Sequence, residues 1–317
     1  MRTIFLQAAF MLASSISLLA QSSLNFWQFW GDGKAEIGFY KGTQVRYGEV
    51  RPCKSFLIFV TEPFNGEKQV KADRADASNP AYNGVLKLNH VKRFQTGIYT
   101  YSLMTSVFTS ATPCTIKQSG KDVRYGVGAP LKITFTGQEW CGMTFHQLNR
   151  QADKGMKSRS HSYFESEGDR EELLKADEQT LFADDAFIAV RELLRPLNAG
   201  TITYYPTLDH ARVSHIPLAA EQATVSKKDV STRFRGANLP ATEWTMSGQN
   251  ASVQNGAWQW TFIVEKQYPR RILAFQYMEN GRVIERAELQ ELTRLLYWKL
   301  NAVKDEHYLS ELDTSSK

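Results

Sequence analysis

The sequence predicts a mainly β protein built on a curved antiparallel sheet, a half-barrel or open barrel, with a few helices. Aromatic residues are abundant, with 7 Trp, 13 Tyr and 18 Phe among 317 residues. This composition favours strands over a helical bundle. Many aromatic residues alternate with polar ones, which is typical of strands with one buried face. The dipeptide Asn280-Gly281 between two such runs is a strong hairpin signal.

Strands follow one another through the first half of the chain. Leu131, Ile133 and Phe135 alternate with polar residues and form the clearest half-buried strand. The apolar run at 55–60 is typical of a strand buried on both faces. Further strands are predicted at 34–40, 84–91, 98–108 and 143–148.

The second half is predicted to begin with a helix at 169–198. Asp184 or Asp185 would cap it, and Pro196 would end it. Its apolar face would plug one end of the sheet. Strands are predicted to resume at 201–205, 212–217, 258–264, 272–278 and 282–289, while the periodicity of 292–300 fits a helix and a strand equally.

The N-terminus has the layout of a secretory signal peptide at 1–20. Arg2 precedes an apolar run at 4–19, and Ala20 is a small residue at the cleavage point. The chain is therefore predicted to be exported to the periplasm or cell envelope of a bacterium, with no integral membrane span in its mature form. Whether the signal is cleaved or kept as an anchor stays open.

The mature chain is expected to contain two parts. A polar stretch rich in Ser, Lys and Arg ends near residue 168, and such a stretch is typical of a boundary. The first part is a β-rich segment at 21–168. The second, at 169–317, is a helix followed by further strands. The two parts are predicted to form one continuous sheet or two similar halves.

Charge and motif patterns exclude several classes of function. The excess of 38 Lys and Arg over 33 Asp and Glu is small and has no basic tail, so no nucleic-acid partner is predicted. The six histidines lack zinc-type spacing, so no metal is expected. The Gly-containing stretch at 120–128 lacks the end of a phosphate-binding loop. No cofactor is therefore predicted.

Three cysteines in an oxidising compartment leave at least one thiol unpaired within the chain. Cys53 and Cys114 each follow a proline at a predicted loop edge, whereas Cys141 stands beside Trp140. We therefore expect a disulfide between Cys53 and Cys114, with Cys141 buried.

Glu139, Cys141 and His146 supply the residue types of a thiol nucleophile, its base and an orienting carboxylate. Cys141 and His146 are an odd number of positions apart, so on one strand they would point to opposite faces unless a bulge at Gly142 realigns them. A hydrolase is therefore the alternative function, and a structural role for these residues is favoured.

The main candidate site is a ligand cleft in the curved sheet. The segment 85–108 interleaves polar and aromatic side chains, and ligand clefts combine these two kinds of surface. Aromatic rows from 99–101 and 258–262 would face one another across the concave side. An apolar or amphipathic envelope molecule, such as a lipid, is the expected partner of a non-enzymatic binding or envelope-maintenance protein. The candidate ligand-binding residues are Lys87, Gln95, Tyr99, Tyr101, Trp258 and Trp260.

Six motifs carry a resemblance to a known family. They are FWQFWGDGKAE at 26–36, RYGE at 46–49, VTEPF at 60–64, LKLN at 86–89, FQTGIYTY at 94–101 and QEWCG at 138–142. In these motifs the chain resembles a family of exported bacterial proteins without an established activity.

Members of that family are sometimes labelled septum formation inhibitor Maf, although Maf proteins are cytoplasmic nucleotide pyrophosphatases. From Asp184 onward, the order of helix, strands and Trp-rich hairpin also resembles exported half-barrel proteins. The resemblance implies a curved antiparallel sheet around an apolar cleft. It implies no substrate and no catalytic residue.

Overall fold

The structure is a computed structural model that describes residues 25–309, apart from 75, 77, 154, 166 and 251–255. The predicted signal peptide at 1–20 lies outside the described residues. The fold is mainly β, as predicted. It has one large mixed sheet of 16 strands that does not close, and a small sheet of two strands.

The first part of the chain contains one short helix and ten strands. The helix α1 covers 25–30. The strands are β1 (Ala35–Arg46), β2 (Glu49–Asn65), β3 (Val70–Lys71), β4 (Tyr82–Thr96), β5 (Tyr99–Ser110), β6 (Cys114–Gln118), β7 (Lys121–Tyr125), β8 (Pro130–Glu139), β9 (Gly142–Arg150) and β10 (Met156–Ser162).

The second part alternates short helices with strands before a run of long strands. Its elements are β11 (Arg170–Leu174), β12 (Thr180–Phe182), α2 (Ala183–Ala189), β13 (Gly200–Tyr205), α3 (Leu208–Ser214), β14 (Glu221–Phe234), β15 (Ala237–Asn250), β16 (Gly256–Glu265), β17 (Ile272–Glu279) and β18 (Arg282–Leu295), followed by 3-10 turns at Tyr297–Lys299 and Val303–Glu306.

The large sheet runs without a break across the boundary expected near residue 168. Its strand order is β11-β10-β9-β8-β5-β4-β2-β1-β18-β17-β16-β15-β14-β13-β12, with β3 beside β2. The pairing of β1 with β18 joins the two parts of the chain at the middle of this order. All neighbours on this path are antiparallel except β12 and β13.

Tight hairpins bring several loops to one end of the sheet, which we call the turn end. They are the two-residue turns at 47–48, 97–98, 140–141 and 280–281. Asn280 and Gly281 both have positive φ, 49° and 76°, as the hairpin signal predicts. Because adjacent strands run antiparallel, every second turn along the strand order falls at this end.

The main core lies on the inner face of the sheet, the face that carries α2. Phe187 of α2 contacts three aromatic rings of the sheet. The ring centroids of Phe262, Phe275 and Trp260 lie 5.0, 5.1 and 5.8 Å from that of Phe187. Edge-to-face contacts of this kind add to the free energy gained by burying the rings. The helix α2 therefore packs on the inner face of the sheet through its apolar side, whereas the sequence predicts a helix at one end of the sheet.

Two predicted elements are wrong. The helix expected at 169–198 covers only Ala183–Ala189. The segment before it forms β11 and β12, which are the two edge strands of the sheet. The strand expected at 212–217 is the helix α3 instead. Thr207 accepts a hydrogen bond from the backbone N–H of His210, and His215 ends the helix with a φ of 54°. This capping fixes a helix that the apolar spacing does not indicate.

The predicted disulfide is also wrong, because all three cysteines are free. Cys53 lies early in β2, opposite Gly42 and Phe94. Cys114 lies beyond the far end of that strand, where its thiol contacts the carbonyl of Ala81 at 3.9 Å. The rise of a strand separates these places by about 40 Å. Cys141 is exposed rather than buried.

The three thiols should react very differently. Burial raises the pKa of Cys53 to about 12 and that of Cys114 to about 11. An aromatic disulfide reagent should therefore label one thiol, Cys141, in the folded protein and three after denaturation without reductant. In the Cys141→Ser variant the reagent should label no thiol in the folded protein and two thiols after denaturation. A single thiol after denaturation of the wild-type protein would contradict this arrangement.

Candidate functional site

The structure brings several predicted site residues together at the turn end. Gln95 and Tyr99 flank the turn at 97–98. The Gln95 amide donates to the carbonyl of Gly97 at 3.1 Å and accepts from the hydroxyl of Thr100 at 2.6 Å. Tyr101 lies two residues beyond Tyr99 on the same face of β5. Glu139 and Cys141 lie at the neighbouring turn between β8 and β9.

Aromatic contacts connect these turns into one surface. Tyr101 stacks on Phe94 with ring centroids 4.9 Å apart, and its hydroxyl lies 2.9 Å from that of Tyr47. Tyr99 stacks against Trp140 with a centroid distance of 6.0 Å. Tyr101 is buried and anchors the cluster, whereas the outer rings face solvent. The hairpins therefore hold aromatic side chains in fixed positions.

Large apolar side chains are exposed in unusual number at this end. Ile98 is 81% exposed and Trp140 is 70% exposed. Single exposed apolar residues are ordinary, but a group of them indicates an interaction surface. We call this group the turn-end apolar surface, and it consists of Tyr47, Val50, Ile98, Trp140, Met143 and Tyr163.

Arginines surround the turn-end apolar surface. Arg282 donates to the carbonyl of Gly48 at 2.7 Å, which places its side chain beside the turn of β1 and β2. Arg51 pairs with Glu49 at 2.6 Å, and Arg93 is exposed near the end of β4. Guanidinium groups bind phosphate oxygens in a bidentate manner. The basic groups therefore suit an anionic, phosphate-bearing surface.

Lys87, Trp258 and Trp260 lie away from this surface. Lys87 pairs with Glu62 at 2.9 Å, near the opposite end of β4. Both tryptophans are buried in the core. Trp258 stacks on Tyr204 with a centroid distance of 4.1 Å, and the indole N–H of Trp260 donates to the Tyr204 hydroxyl.

The space beside Trp260 is small. Two cavities next to it measure about 10 and 30 Å³, enough for about one or two water molecules. Side chains, rather than a guest of lipid size, fill this part of the interior.

The residues of the alternative hydrolase do not form a reactive group. Cys141 occupies the turn, and its backbone N–H donates to Glu139 at 2.6 Å. A hydrogen bond to Glu139 raises the pKa of the Cys141 thiol, which disfavours the thiolate. His146 lies further along β9, where its Nε2 is 2.8 Å from the hydroxyl of Ser158. These contacts orient His146 toward β10 and leave Cys141 without an activating base.

A buried charged cluster, missed by the sequence reasoning, lies behind the turn end. Lys92 of β4 forms ion pairs with Asp209 of α3 and with Glu285 of β18, the latter at 2.8 Å. All three side chains are buried. The sequence did contain a signal for this cluster. Alternation along β4 places Lys92 on the same inner face as His90 and Phe94, and a lysine on a buried face requires a charged partner.

The pKa values in this cluster follow from burial and pairing. Burial acts to raise the pKa of Asp209, but Lys92 more than offsets this effect and the pKa is lowered. Burial acts to lower the pKa of Lys92, and the two carboxylates outweigh it and raise that pKa. For Glu285 burial dominates and the pKa is raised.

Two further buried acids fix α2. Asp184 accepts a hydrogen bond from the backbone N–H of Leu208 at 3.0 Å, which joins the start of α2 to the start of α3. Asp185 accepts one from the hydroxyl of Thr109 at 2.5 Å. Neither acid caps α2, whose N-cap residue is Phe182. Their side chains connect helices and sheet instead.

The comparisons with known proteins provide no relative. No protein-family model, curated protein or solved structure matches the chain. Over the described ranges, no cluster of three or more His, Cys, Asp or Glu side chains could hold a metal ion. None of the helices described is long and apolar enough to cross a membrane. The surface must therefore be interpreted from its own geometry.

The buried ion pairs of Lys92 should contribute more to stability than an exposed pair does. Lys92→Ala leaves two buried carboxylates without their cation and should lower the free energy of unfolding by about 3 to 5 kcal/mol. Lys228→Ala removes a lysine from the exposed pair with Glu243 and should cost at most about 1 kcal/mol. Urea unfolding monitored by Trp fluorescence measures both. Equal losses would show that the buried cluster does not stabilise the fold.

Asp185 should make the stability of the fold depend on pH. Burial raises its pKa to about 6, so the unfolded chain releases this proton at lower pH than the folded protein. The protonated Asp185 carboxyl therefore stabilises the folded protein below about pH 4, and this stabilisation is lost as the pH rises through 6. The free energy of unfolding of Asp185→Asn should therefore rise by about 2 to 3 kcal/mol relative to that of the wild-type protein between pH 4 and pH 7.

Urea titrations at a series of pH values test this difference. Asp122→Asn, at an exposed position, is the matched control and should run parallel to wild type. A constant offset between Asp185→Asn and wild type would mean that Asp185 is ionised throughout that range.

Proposed function

We propose that the protein is an exported, non-enzymatic binding module of the bacterial cell envelope that attaches to a lipid surface through the turn-end apolar surface. One observation carries this proposal. Exposed large apolar side chains from three neighbouring hairpins project at the same end of one sheet. Export itself rests on the signal-like sequence at 1–20.

The chemistry of the side chains favours a lipid interface. Tryptophan and tyrosine combine an apolar ring with a polar group and are enriched where hydrocarbon meets headgroups. Ile98 and Met143 supply apolar chains that a shallow insertion would bury. Arg93 and Arg282 are exposed near the turn end, where they would meet anionic headgroups. Each basic group close to such a surface contributes about 1 kcal/mol.

The interior favours attachment from outside rather than enclosure of a lipid. The cavities beside Trp260 have room for about one or two water molecules each. The inner face is occupied by α2 and α3. The charged cluster of Lys92 ties α3 to the sheet, and Asp185 ties α2 to Thr109 of β5. A lipid chain inside would have to displace these helices. Contact through the hairpin tips requires no such change.

Sedimentation with lipid vesicles tests the proposal. The wild-type protein should bind vesicles of phosphatidylcholine and phosphatidylglycerol better than vesicles of phosphatidylcholine alone. The double variant Ile98→Ala with Trp140→Ala should bind the anionic vesicles at least tenfold more weakly. A matched double variant at the opposite end of the sheet, Val303→Ala with Trp298→Ala, also removes one exposed aliphatic and one exposed Trp side chain and should bind as wild type does.

A charge reversal separates the electrostatic contribution. Arg93→Glu should weaken binding to anionic vesicles and reduce its dependence on salt, because it removes a cation near the turn end. Arg233→Glu changes an exposed arginine far from that end and should have little effect. Failure of the wild-type protein to bind either vesicle, or equal losses in the two double variants, would overturn the proposal.

A further inference from the structure

A separate cleft opens on the inner face of the sheet, between strands β9 to β11 and the segment that follows α3. Its volume is about 90 Å³, several times that of the cavities beside Trp260. Part of its wall is apolar, formed by Phe135, Ile216 and Leu218. Its polar lining includes Thr144, His146, Ser160, Glu167, Arg170, Glu172 and Arg212.

An unpaired hydroxyl lies in this lining. Thr144 is only 5% exposed, and its hydroxyl oxygen Oγ1 has no hydrogen-bond partner among the described residues. Leaving a buried polar atom without a partner opposes folding, so such an atom in the wall of an open cleft points to a ligand. The side-chain hydroxyl of Ser160, also in this lining, has no hydrogen-bond partner among the described residues and is a second group that a ligand can engage.

His146 is fixed in orientation beside these hydroxyls. Its Nε2 lies 2.8 Å from the hydroxyl of Ser158, which holds the ring in place. Burial lowers the pKa of His146 to about 4, so the ring is uncharged at neutral pH. It therefore contributes hydrogen bonding to the cleft but no positive charge.

Charges of both signs line the cleft in equal number. Arg170 and Glu172 lie two residues apart on β11 and share one face of that strand. Across the cleft, Arg212 of α3 pairs with Glu167 at 3.3 Å. The Arg212 guanidinium also lies 4.1 Å from the ring centre of Phe164. An ion of a single sign meets equal attraction and repulsion here, whereas a molecule that carries both signs can pair with both.

We propose that this cleft binds a small zwitterionic molecule of the free amino acid class. The carboxylate of the ligand faces Arg170 and Arg212 and accepts a hydrogen bond from the Thr144 hydroxyl, and its ammonium group faces Glu167 and Glu172. The apolar wall formed by Ile216 and Leu218 receives a side chain. This inference does not rest on the proposed lipid attachment, because the cleft shares no residue with the turn-end apolar surface.

Calorimetric titration of the full-length protein tests the ligand class. Glycine, L-alanine and L-leucine carry both charges, whereas acetate and ethylammonium carry one each. At least one amino acid should bind, with at least tenfold higher affinity than acetate or ethylammonium. Failure of all three amino acids to bind, or equal binding of a singly charged probe, would overturn the proposal.

Two substitutions distinguish a ligand site from a structural element. Thr144→Val removes the unpaired hydroxyl at nearly constant volume. It should leave the thermal unfolding temperature unchanged or higher, while the affinity for the amino acid falls at least fivefold. Glu172→Gln should weaken amino acid binding at least tenfold. Its neighbour Glu171 points to the opposite face, so Glu171→Gln is the matched control and should bind as wild type does.

The outcomes are distinct from those of the vesicle experiment. A fall in unfolding temperature for Thr144→Val without a change in affinity would show that the hydroxyl is structural and would overturn its assignment to the site. Equal weakening by Glu171→Gln and Glu172→Gln would overturn the placement of the ligand. Vesicle binding should be the same in all three variants, so either proposal can fail alone.

Discussion

The buried ion pairs of Lys92 are the interaction on which the rest of the arrangement depends. Lys92 belongs to the first part of the chain, whereas Asp209 and Glu285 belong to the second. A buried charge must stay close to its partners, because separation would leave it in a medium of low polarity. The cluster therefore holds α3 against the sheet and fixes β4 relative to β18. In this position α3 forms one wall of the cleft that contains Thr144.

The continuous sheet then sets where each surface can form. Pairing of β1 with β18 places the hairpins of both parts side by side, so their turns share one end. Arg46 links this end to α3, since its guanidinium donates to the carbonyl of Val213 and to the hydroxyl of Tyr101. The aromatic cluster, the charged cluster and the cleft are thus neighbours in one rigid framework. The lipid surface and the zwitterion cleft nevertheless use different side chains, and they can be tested separately.

Sequence reasoning found part of the candidate surface and none of the buried charges. The mixture of polar and aromatic residues predicts Gln95 and Tyr99, and the alternative hydrolase predicts Glu139. The structure brings all three to one end of the sheet. Trp258 was expected to face a ligand, but it packs on Tyr204 in the filled core. Alternation indicates which face of a strand is apolar. It does not indicate whether a ligand or a helix covers that face.

The sequence by itself determined the β class, most of the long strands and the hairpin at 280–281, because alternation and turn chemistry are local properties of the chain. Only the tertiary structure decided the helix α3, the separation of Cys53 from Cys114, and the meeting of Lys92 with Asp209 and Glu285. These features depend on contacts between residues far apart in the chain. The strand order decides which of those residues meet, and the local pattern of one strand does not contain that order.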